Sequence, residues 1–417
     1  MSLNGRVGHD YAGGHALLIG AGGVLLAEHG ALVRYTADGS SSVRACYGGA
    51  PAAAKALAGR KRAGEAKRPP RVTFAWPRRD DDQADRAIGC LFGQVIGDSL
   101  GSLVEFRTAK EIAKRYPEGV RNLADGGTWN TLAGQPTDDS ELALALARSI
   151  VADHGYDEEA ATTAYARWYS SGPFDIGNTT ARALSAAAAA STAKARAARA
   201  AADASSQANG SLMRVSPIGI LAPDPATAAT AAARDSALTH PHPTCVTACA
   251  AFAAAISAGI AGASPHGMWE VAFATVRGQA DAAPVLQRLE AAARGEFPQV
   301  SPNNQGWVLV AFQAAFRQLL HSPDAEEALV EIVARGGDTD TNRAITGALL
   351  GAAHGRAAFP PRWITPVLAC RPSRALGATH ERPQEYWPDD LSALAEALLT
   401  ARPLPEVFAT TQRIGWA

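Results

Sequence analysis

Glycine recurs every fourth residue in two places, at Gly89, Gly93, Gly97 and Gly101 and again at Gly347, Gly351 and Gly355. On an α-helix that step returns to the same face, so each run makes a ridge without side chains. Glycine in a helix interior costs roughly 1 kcal/mol relative to alanine, so two ridges of it need a compensating contact. The simplest is close approach of helix backbones, nearer than the usual ~8–10 Å between axes.

Two acidic clusters, about 200 residues apart, each open a helix. Thr137-Asp138-Asp139-Ser140 precedes Glu141-Leu142-Ala143-Leu144-Ala145-Leu146-Ala147-Arg148, and Asp338-Thr339-Asp340-Thr341 precedes the second glycine run. Either cluster alone has the composition of a helix N-cap. Together, four carboxylates with threonine hydroxyls are hard oxygen donors, the set that suits Mg²⁺, Mn²⁺ or Ca²⁺. Two acid-opening helices and a glycine-ridged helix carrying Asp98 are expected to converge on one point.

The chain of 417 residues is long enough for one large domain with a smaller one, or for two domains. Its hydrophobic content of 47% with 19% charged residues is that of an ordinary globular protein. A formal charge of −1 leaves no nucleic-acid footprint and no polybasic membrane patch. Cys46, Cys90, Cys245, Cys249 and Cys370 form no C-x-x-C pair, which fits buried thiols in a reducing, cytoplasmic setting. The apolar stretch Ala16 to Ala27 is about half the ~20 residues that span a bilayer. It lacks a basic lead-in, so neither a membrane span nor a signal peptide is expected.

Residues 1–58 differ from the rest. Ala16–Ile19, Val24–Leu26, Leu32–Thr36 and Ser42–Tyr47 read as short strands, separated by Gly20-Ala21-Gly22-Gly23, His29-Gly30 and the hairpin-type Ala37-Asp38-Gly39-Ser40. A small antiparallel meander is expected, with a short helix from Pro51 to Ala58. Residues 59–86, rich in Lys, Arg and Pro, read as a solvated linker. From Ala87 to the end, 87–417, the pattern is helical: near 87–103, 108–115, 141–153, 157–170, 180–200, 224–233, 244–261, 266–278, 283–294, 306–320, 324–334, 341–355 and 389–401. The fold class is therefore mainly all-α, a compact multi-helix domain behind a small β-rich N-terminal region.

Several loops carry polar residues beyond what a turn needs. Phe174-Asp175-Ile176-Gly177-Asn178-Thr179-Thr180 leads into a helix and makes Asn178 a candidate substrate contact. Gln207-Ala208-Asn209-Gly210-Ser211-Leu212-Met213-Arg214 combines backbone freedom with donors, as phosphate- or ribose-holding loops do. Gly126-Gly127 and Gly134-Gln135-Pro136 could turn backbone N–H groups to an anion, so Gly127 and Gln135 join the candidates. In Thr239-His240-Pro241-His242-Pro243 the prolines prevent helical metal geometry, which argues against zinc and leaves His240 as a substrate-side candidate.

Taken in order, Gly97-Asp98-Ser99-Leu100-Gly101-Ser102-Leu103-Val104-Glu105-Phe106, Thr137-Asp138-Asp139-Ser140, Phe174-Asp175-Ile176-Gly177, Asn209-Gly210-Ser211-Leu212-Met213-Arg214 and Gly336-Gly337-Asp338-Thr339-Asp340-Thr341-Asn342 resemble the motifs of the ADP-ribosylglycohydrolases. The likeness runs from about residue 87 to 370 and is nearest to the dinitrogenase-reductase-activating branch. It implies an all-α fold with two divalent ions, Mg²⁺ or Mn²⁺, and hydrolysis of the bond joining ADP-ribose to a protein side chain, arginine foremost. By position, the resemblance makes Thr137, Asp138, Asp139, Asp338, Asp340 and Thr341 the metal ligands. It gives catalytic roles to Glu105, Asp139 and Asp175. It places Asn209, Gly210, Ser211 and Met213 around the ribose-diphosphate, with Gly306 and Trp307 flanking the nucleotide. Ala208 stands where glycine is common, Ser140 where threonine is, and Asn303-Asn304-Gln305 is an unusual lead-in to Gly306.

The expected partner is thus an ADP-ribosylated protein. A competing reading makes the chain an immunity or regulatory protein whose residues 1–86 block a cognate ADP-ribosyltransferase. Another makes it a hydrolase of a different ADP-ribosyl linkage. Neither nucleic acid nor a membrane is an expected partner.

Overall fold

A computed structural model describes residues 22–27, 30–34, 46–58 and 82–401. They fall in two compact units divided between Phe74 and Ala75. In the first, strands Val24–Ala27 and Cys46–Gly49 pair antiparallel, Val24 opposite Gly49 and Ala27 opposite Cys46. Leu26 bridges to Leu32, and Leu25, Val33 and Cys46 make a small core. A helix follows at Pro51–Ala58. The expected strand Ala16–Ile19, the Ala37–Ser40 turn, residues 35–36 and 42–45 of the other strands, and 59–81 of the linker lie outside the described residues.

Among the described residues the second unit has no strand pair beyond isolated bridges; it is built of helices. Its first helix is Asp82–Gly101, starting five residues ahead of Ala87. Asp82 and Asp85 sit in the first turn, where the positive helix end favours carboxylates. Arg86 Nη1 donates to the Gly259 carbonyl at 2.9 Å, which ties that turn to the core.

The glycine ridges explain the architecture. Asp82–Gly101 lies antiparallel along Thr339–His354, and the two ridges face each other. A methyl group on Gly93 would overlap the Gly347 carbonyl, and one on Gly351 would overlap that of Gly89. At the other end, Gly97 lies on the Arg343 carbonyl and Gly101 on the backbone of Thr339 and Asp340. Backbone thus packs on backbone for the length of the ridge. That brings Asp98 and the 338–341 cluster together, and Thr339 Oγ1 donates to the Gly101 carbonyl at 2.8 Å.

Helix Pro243–Ile260 is apolar and long enough to cross a membrane, but 89% of it is buried inside the protein, as the core helix it is. The alanine-rich stretch expected as one helix over 180–200 is two, Asn178–Ala189 and Lys194–Ala201. Ala193 takes a left-handed φ of 51°, and Glu159 from the neighbouring helix Glu158–Ser170 accepts the freed N–H groups of Lys194 and Ala195 at 2.6 and 2.9 Å. Tertiary capping breaks what local propensity would continue. Ser216–Leu221 and Pro361–Ala369 are helices that the periodicity does not announce, both short and both opened by proline at the first turn.

Candidate functional site

The two acidic clusters sit at helix starts without serving as caps. Thr137 occupies the N-cap position of Asp138–Asp153, and Asp338 that of Thr339–His354, yet neither side chain makes a capping bond. Instead the Thr137 hydroxyl donates to Asp98 Oδ1 at 2.9 Å, and the N–H groups of Thr137 and Ser140 reach the same carboxylate at 3.1 Å. Asp98 therefore shapes the first acidic turn from the glycine helix. Asp338 Oδ2 accepts from Asn209 Nδ2 at 2.8 Å, which brings the 207–214 loop to the second cluster.

The clusters meet at Asp139. Its Oδ2 accepts from Thr341 Oγ1 at 3.2 Å, a contact across 202 positions of sequence, and lies 3.3 Å from Thr137 Oγ1. Its Oδ1 is buried with no partner, and so is Asn342 Oδ1. Glu105, Asp338 and Asp340 each offer an oxygen within 4.8 Å of the others. Glu105 Oε2 also accepts from Trp129 Nε1 at 2.6 Å.

So many buried carboxylates resist ionisation. Burial pushes Asp98 up to about 6 and Asp175 to about 7, the latter helped by the Asp338 charge. Burial and the Asp175 charge push Glu105 up to about 8. Asp138, Asp139 and Asp340 are raised well above the carboxylate range, by burial first and then by Asp175, Asp138 and Glu105 respectively. Orphaned oxygens, clustered acids and hard donors fit divalent cations, which would satisfy all three conditions at once.

A cleft of about 550 Å³ opens on this cluster. Of the expected residues, Glu105, Asp138, Asp139, Asp175, Asn178, Asn209, Gly210, Met213, His240, Asp338, Asp340 and Thr341 line it. Thr137 lies behind them, fully buried on Asp98. Five expected substrate contacts are not in the lining. Gln135 is buried and spent on structure, its amide donating to the His380 carbonyl at 2.9 Å and its Oε1 accepting from Leu132 N at 3.1 Å. Gly127 packs against the backbone of Ser102 and Leu103. Ser211 is buried, its hydroxyl taken by Ser236 and Cys249. Trp307 gives its indole N–H to Gln207 Oε1 at 3.0 Å and lies under the Arg288 guanidinium. Gly306 accepts from Asn209 N at 3.1 Å, so it positions that loop beside Asp338.

Sequence reasoning missed Trp129 and His380. The His380 ring stacks on Phe174 with centroids 4.4 Å apart, and its Nε2 lies 2.8 Å from the Trp129 carbonyl. It thereby links the residue that holds Glu105 to the neighbour of Asp175. Two residues on, Arg382 makes a buried ion pair with Glu141 at 2.8 Å, fastening this C-terminal segment to the acid helix. No motif spacing marks either residue, because Trp129 reaches the site through its indole N–H and His380 through the Trp129 carbonyl and the Phe174 ring.

Comparison with known proteins agrees with this geometry. The profile of the ADP-ribosylglycohydrolase family matches residues 79–406. A putative ADP-ribosyl glycohydrolase, L543, of Acanthamoeba polyphaga mimivirus is 31% identical over 310 residues, spanning 69% of this chain and 92% of that protein. ADP-ribosyl-[dinitrogen reductase] glycohydrolase of Rhodospirillum rubrum is 29% identical, over 67% of this chain and 90% of its own. ADP-ribosylarginine hydrolase Tri1 of Pseudomonas putida is 29% identical over 68% and 74%. A solved structure described as an ADP-ribosylglycohydrolase-related protein complex superposes with a TM-score of 0.61 at 27% identity, covering 76% of this chain and 98% of that one.

Proposed function

The chain belongs to the ADP-ribosylglycohydrolase family and is an ADP-ribosylglycohydrolase, and we propose that it removes ADP-ribose from arginine side chains of proteins at a binuclear Mg²⁺ or Mn²⁺ centre. The observation that carries this reading is the Thr341–Asp139 hydrogen bond, which joins both acidic clusters beside Glu105, Asp338 and Asp340. Relatives named for ADP-ribosyl-[dinitrogen reductase] and for ADP-ribosylarginine support the arginine linkage.

Thr137, Asp138, Asp139, Asp338, Asp340 and Thr341 are the residues that would hold the ions. When bound, such ions supply positive charge for ribose hydroxyls and lower the pKa of a coordinated water. The glycosidic bond breaks through an oxocarbenium-like state, with water adding at the anomeric carbon and the guanidine leaving. Glu105, oriented by the Trp129 N–H, takes a proton from the attacking water. Asp175, on the cleft wall, holds the guanidinium of the substrate while the C–N bonding pair passes to its nitrogen, and the neutral guanidine that leaves takes up a proton from solvent. Asn209 and Gly210 bring backbone and amide donors to the sugar side.

The test is release of ADP-ribose from an arginine-ADP-ribosylated protein with Mg²⁺, with EDTA, and with Asp340→Ala. Metal-dependent release that the variant loses supports the reading. Release only from serine-linked or nucleic-acid-linked ADP-ribose would keep the centre and change the substrate.

A further inference from the structure

His240 faces the cleft beside Gly210, and its surroundings decide which ring nitrogen carries the proton. Its backbone is held at both ends, with His240 N donating to the Ser236 carbonyl at 2.7 Å and Ser236 Oγ donating to the His240 carbonyl at 3.2 Å. Nδ1 lies 2.7 Å from Thr239 Oγ1. That hydroxyl oxygen already accepts from Arg214 Nη1 at 2.9 Å, and a guanidinium only donates. Thr239 is fully buried, and no other described residue accepts its hydroxyl proton. The hydroxyl therefore donates to Nδ1, and the ring proton resides on Nε2.

Arg214 cannot turn away from this duty. Its Nε donates to Asp235 Oδ2 and its Nη2 to the Asp235 carbonyl, both at 3.0 Å. Tyr165 donates to Asp235 Oδ1 at 2.9 Å, and the guanidinium stacks 4.4 Å from the Tyr165 ring. All three side chains are buried. On the other side of the imidazole is Gly210, where a side chain would meet Cε1 at 2.9 Å and Nε2 at 3.1 Å. Glycine keeps that edge open, and among the described residues nothing accepts from Nε2. Burial and the Arg214 charge hold the ring neutral, its pKa pressed down to about 3.

We propose that Arg214 and Thr239 form a relay that locks His240 as the Nε2–H tautomer, so that an uncharged donor meets an acceptor oxygen of the bound ADP-ribosyl group. The ligand in this statement rests on the proposed function; the tautomer does not. Neither Arg214 nor Thr239 lines the cleft, so both are positioning residues acting through His240. A neutral donor suits the place: it binds an oxygen without adding a cation beside carboxylates that serve to hold cations.

The experiment is proton–nitrogen correlation of the histidine rings on the labelled full chain, with the His240 signals assigned by their loss in His240→Gln. The wild type is expected to show a protonated Nε2 and a bare Nδ1, unchanged from about pH 5 to 9, where a free imidazole would titrate. Thr239→Val is expected to shift the proton toward Nδ1 and weaken ADP-ribose binding about tenfold, the worth of one hydrogen bond at the upper end of its range. Thr239→Ser, which keeps the hydroxyl, is expected to behave as wild type in both. A protonated Nδ1 in the wild type, a ring that charges near pH 6, or Thr239→Val with the wild-type tautomer overturns the relay. Should Thr239→Val prove too unstable to purify, the wild-type spectrum alone decides the tautomer. Failure of ADP-ribose to bind the wild type, with the tautomer as stated, removes the ligand and leaves the relay standing.

Discussion

The carbonyl of Gly93 lies where a side chain on Gly347 would begin, and the carbonyl of Gly347 lies where one on Gly93 would. No flexible group stands between these backbones, so neither can yield without parting the helices. Gly93→Ala or Gly347→Ala is therefore expected to cost at least about 2 kcal/mol, the overpacking penalty, despite alanine's better helix propensity. Gly155→Ala, at a position with open space around it, is the control and should be near neutral. Urea unfolding of the three variants checks the difference, and equal stability would remove the backbone-contact account.

Those ridges are legible in sequence because glycine at a four-residue step has few other uses, and the acid clusters because four carboxylates at two helix starts exceed what capping needs. What stays hidden depends on partners far along the chain. The break at Ala193 is set by Glu159, and nothing in an alanine run foretells it. Gln135 looks like a ligand contact beside Thr137, but the His380 carbonyl claims its amide. Trp129 reaches the site by one hydrogen bond and His380 by one hydrogen bond and a ring stack, contacts that leave no spacing to detect.

Asp98 receives three hydrogen bonds from the turn that carries Asp138 and Asp139. Asp98→Ala would leave those buried donors unpaired and free the turn to rotate. Affinity for Mn²⁺, measured by calorimetry, is expected to fall by 10- to about 100-fold, as for other supports behind a metal ligand. Unchanged affinity would show that the turn holds its shape without Asp98.

The raised carboxylates make a signed prediction about pH. Glu105, at about 8 in the fold, binds its proton more tightly there than in the unfolded chain, where a glutamate titrates near ~4.3. Its contribution is fully present below the unfolded value and is lost as pH rises through about 8. In EDTA, Glu105→Gln is therefore expected to match wild type in thermal stability below about pH 4, to pull ahead as pH rises from there, and to hold its full advantage above about pH 8. Mg²⁺ should reverse the order at high pH, since a bound cation favours the carboxylate. A constant difference across the range in EDTA would contradict the burial of a protonated Glu105.

Trp129 holds Glu105 through one 2.6 Å bond, and its carbonyl is in turn held by His380. Trp129→Phe keeps a ring and removes the donor. Turnover is expected to fall about tenfold or more, within the range for mispositioned acid–base groups, with ADP-ribose affinity little changed. His380→Phe, which keeps the stack on Phe174 and loses the hydrogen bond, should give a smaller loss of the same kind. Loss of binding in step with turnover would assign both residues to the architecture of the cleft.

The first unit ends at Phe74, the family match begins at residue 79, and the first helix of the second unit begins at Asp82. A chain of residues 75–417 therefore keeps every residue that lines the cleft and the whole of that helix. Its kcat/KM on an ADP-ribosylated protein is expected to stay within about twofold of the full chain, as for a unit with its own core. A chain of 87–417 would lose Asp85, which pairs with Arg356 at 3.9 Å, and Arg86, which holds the Gly259 carbonyl. It should melt lower while keeping some activity. Loss of hydrolysis already on removing residues 1–74 would mean that the N-terminal unit takes part in substrate recognition.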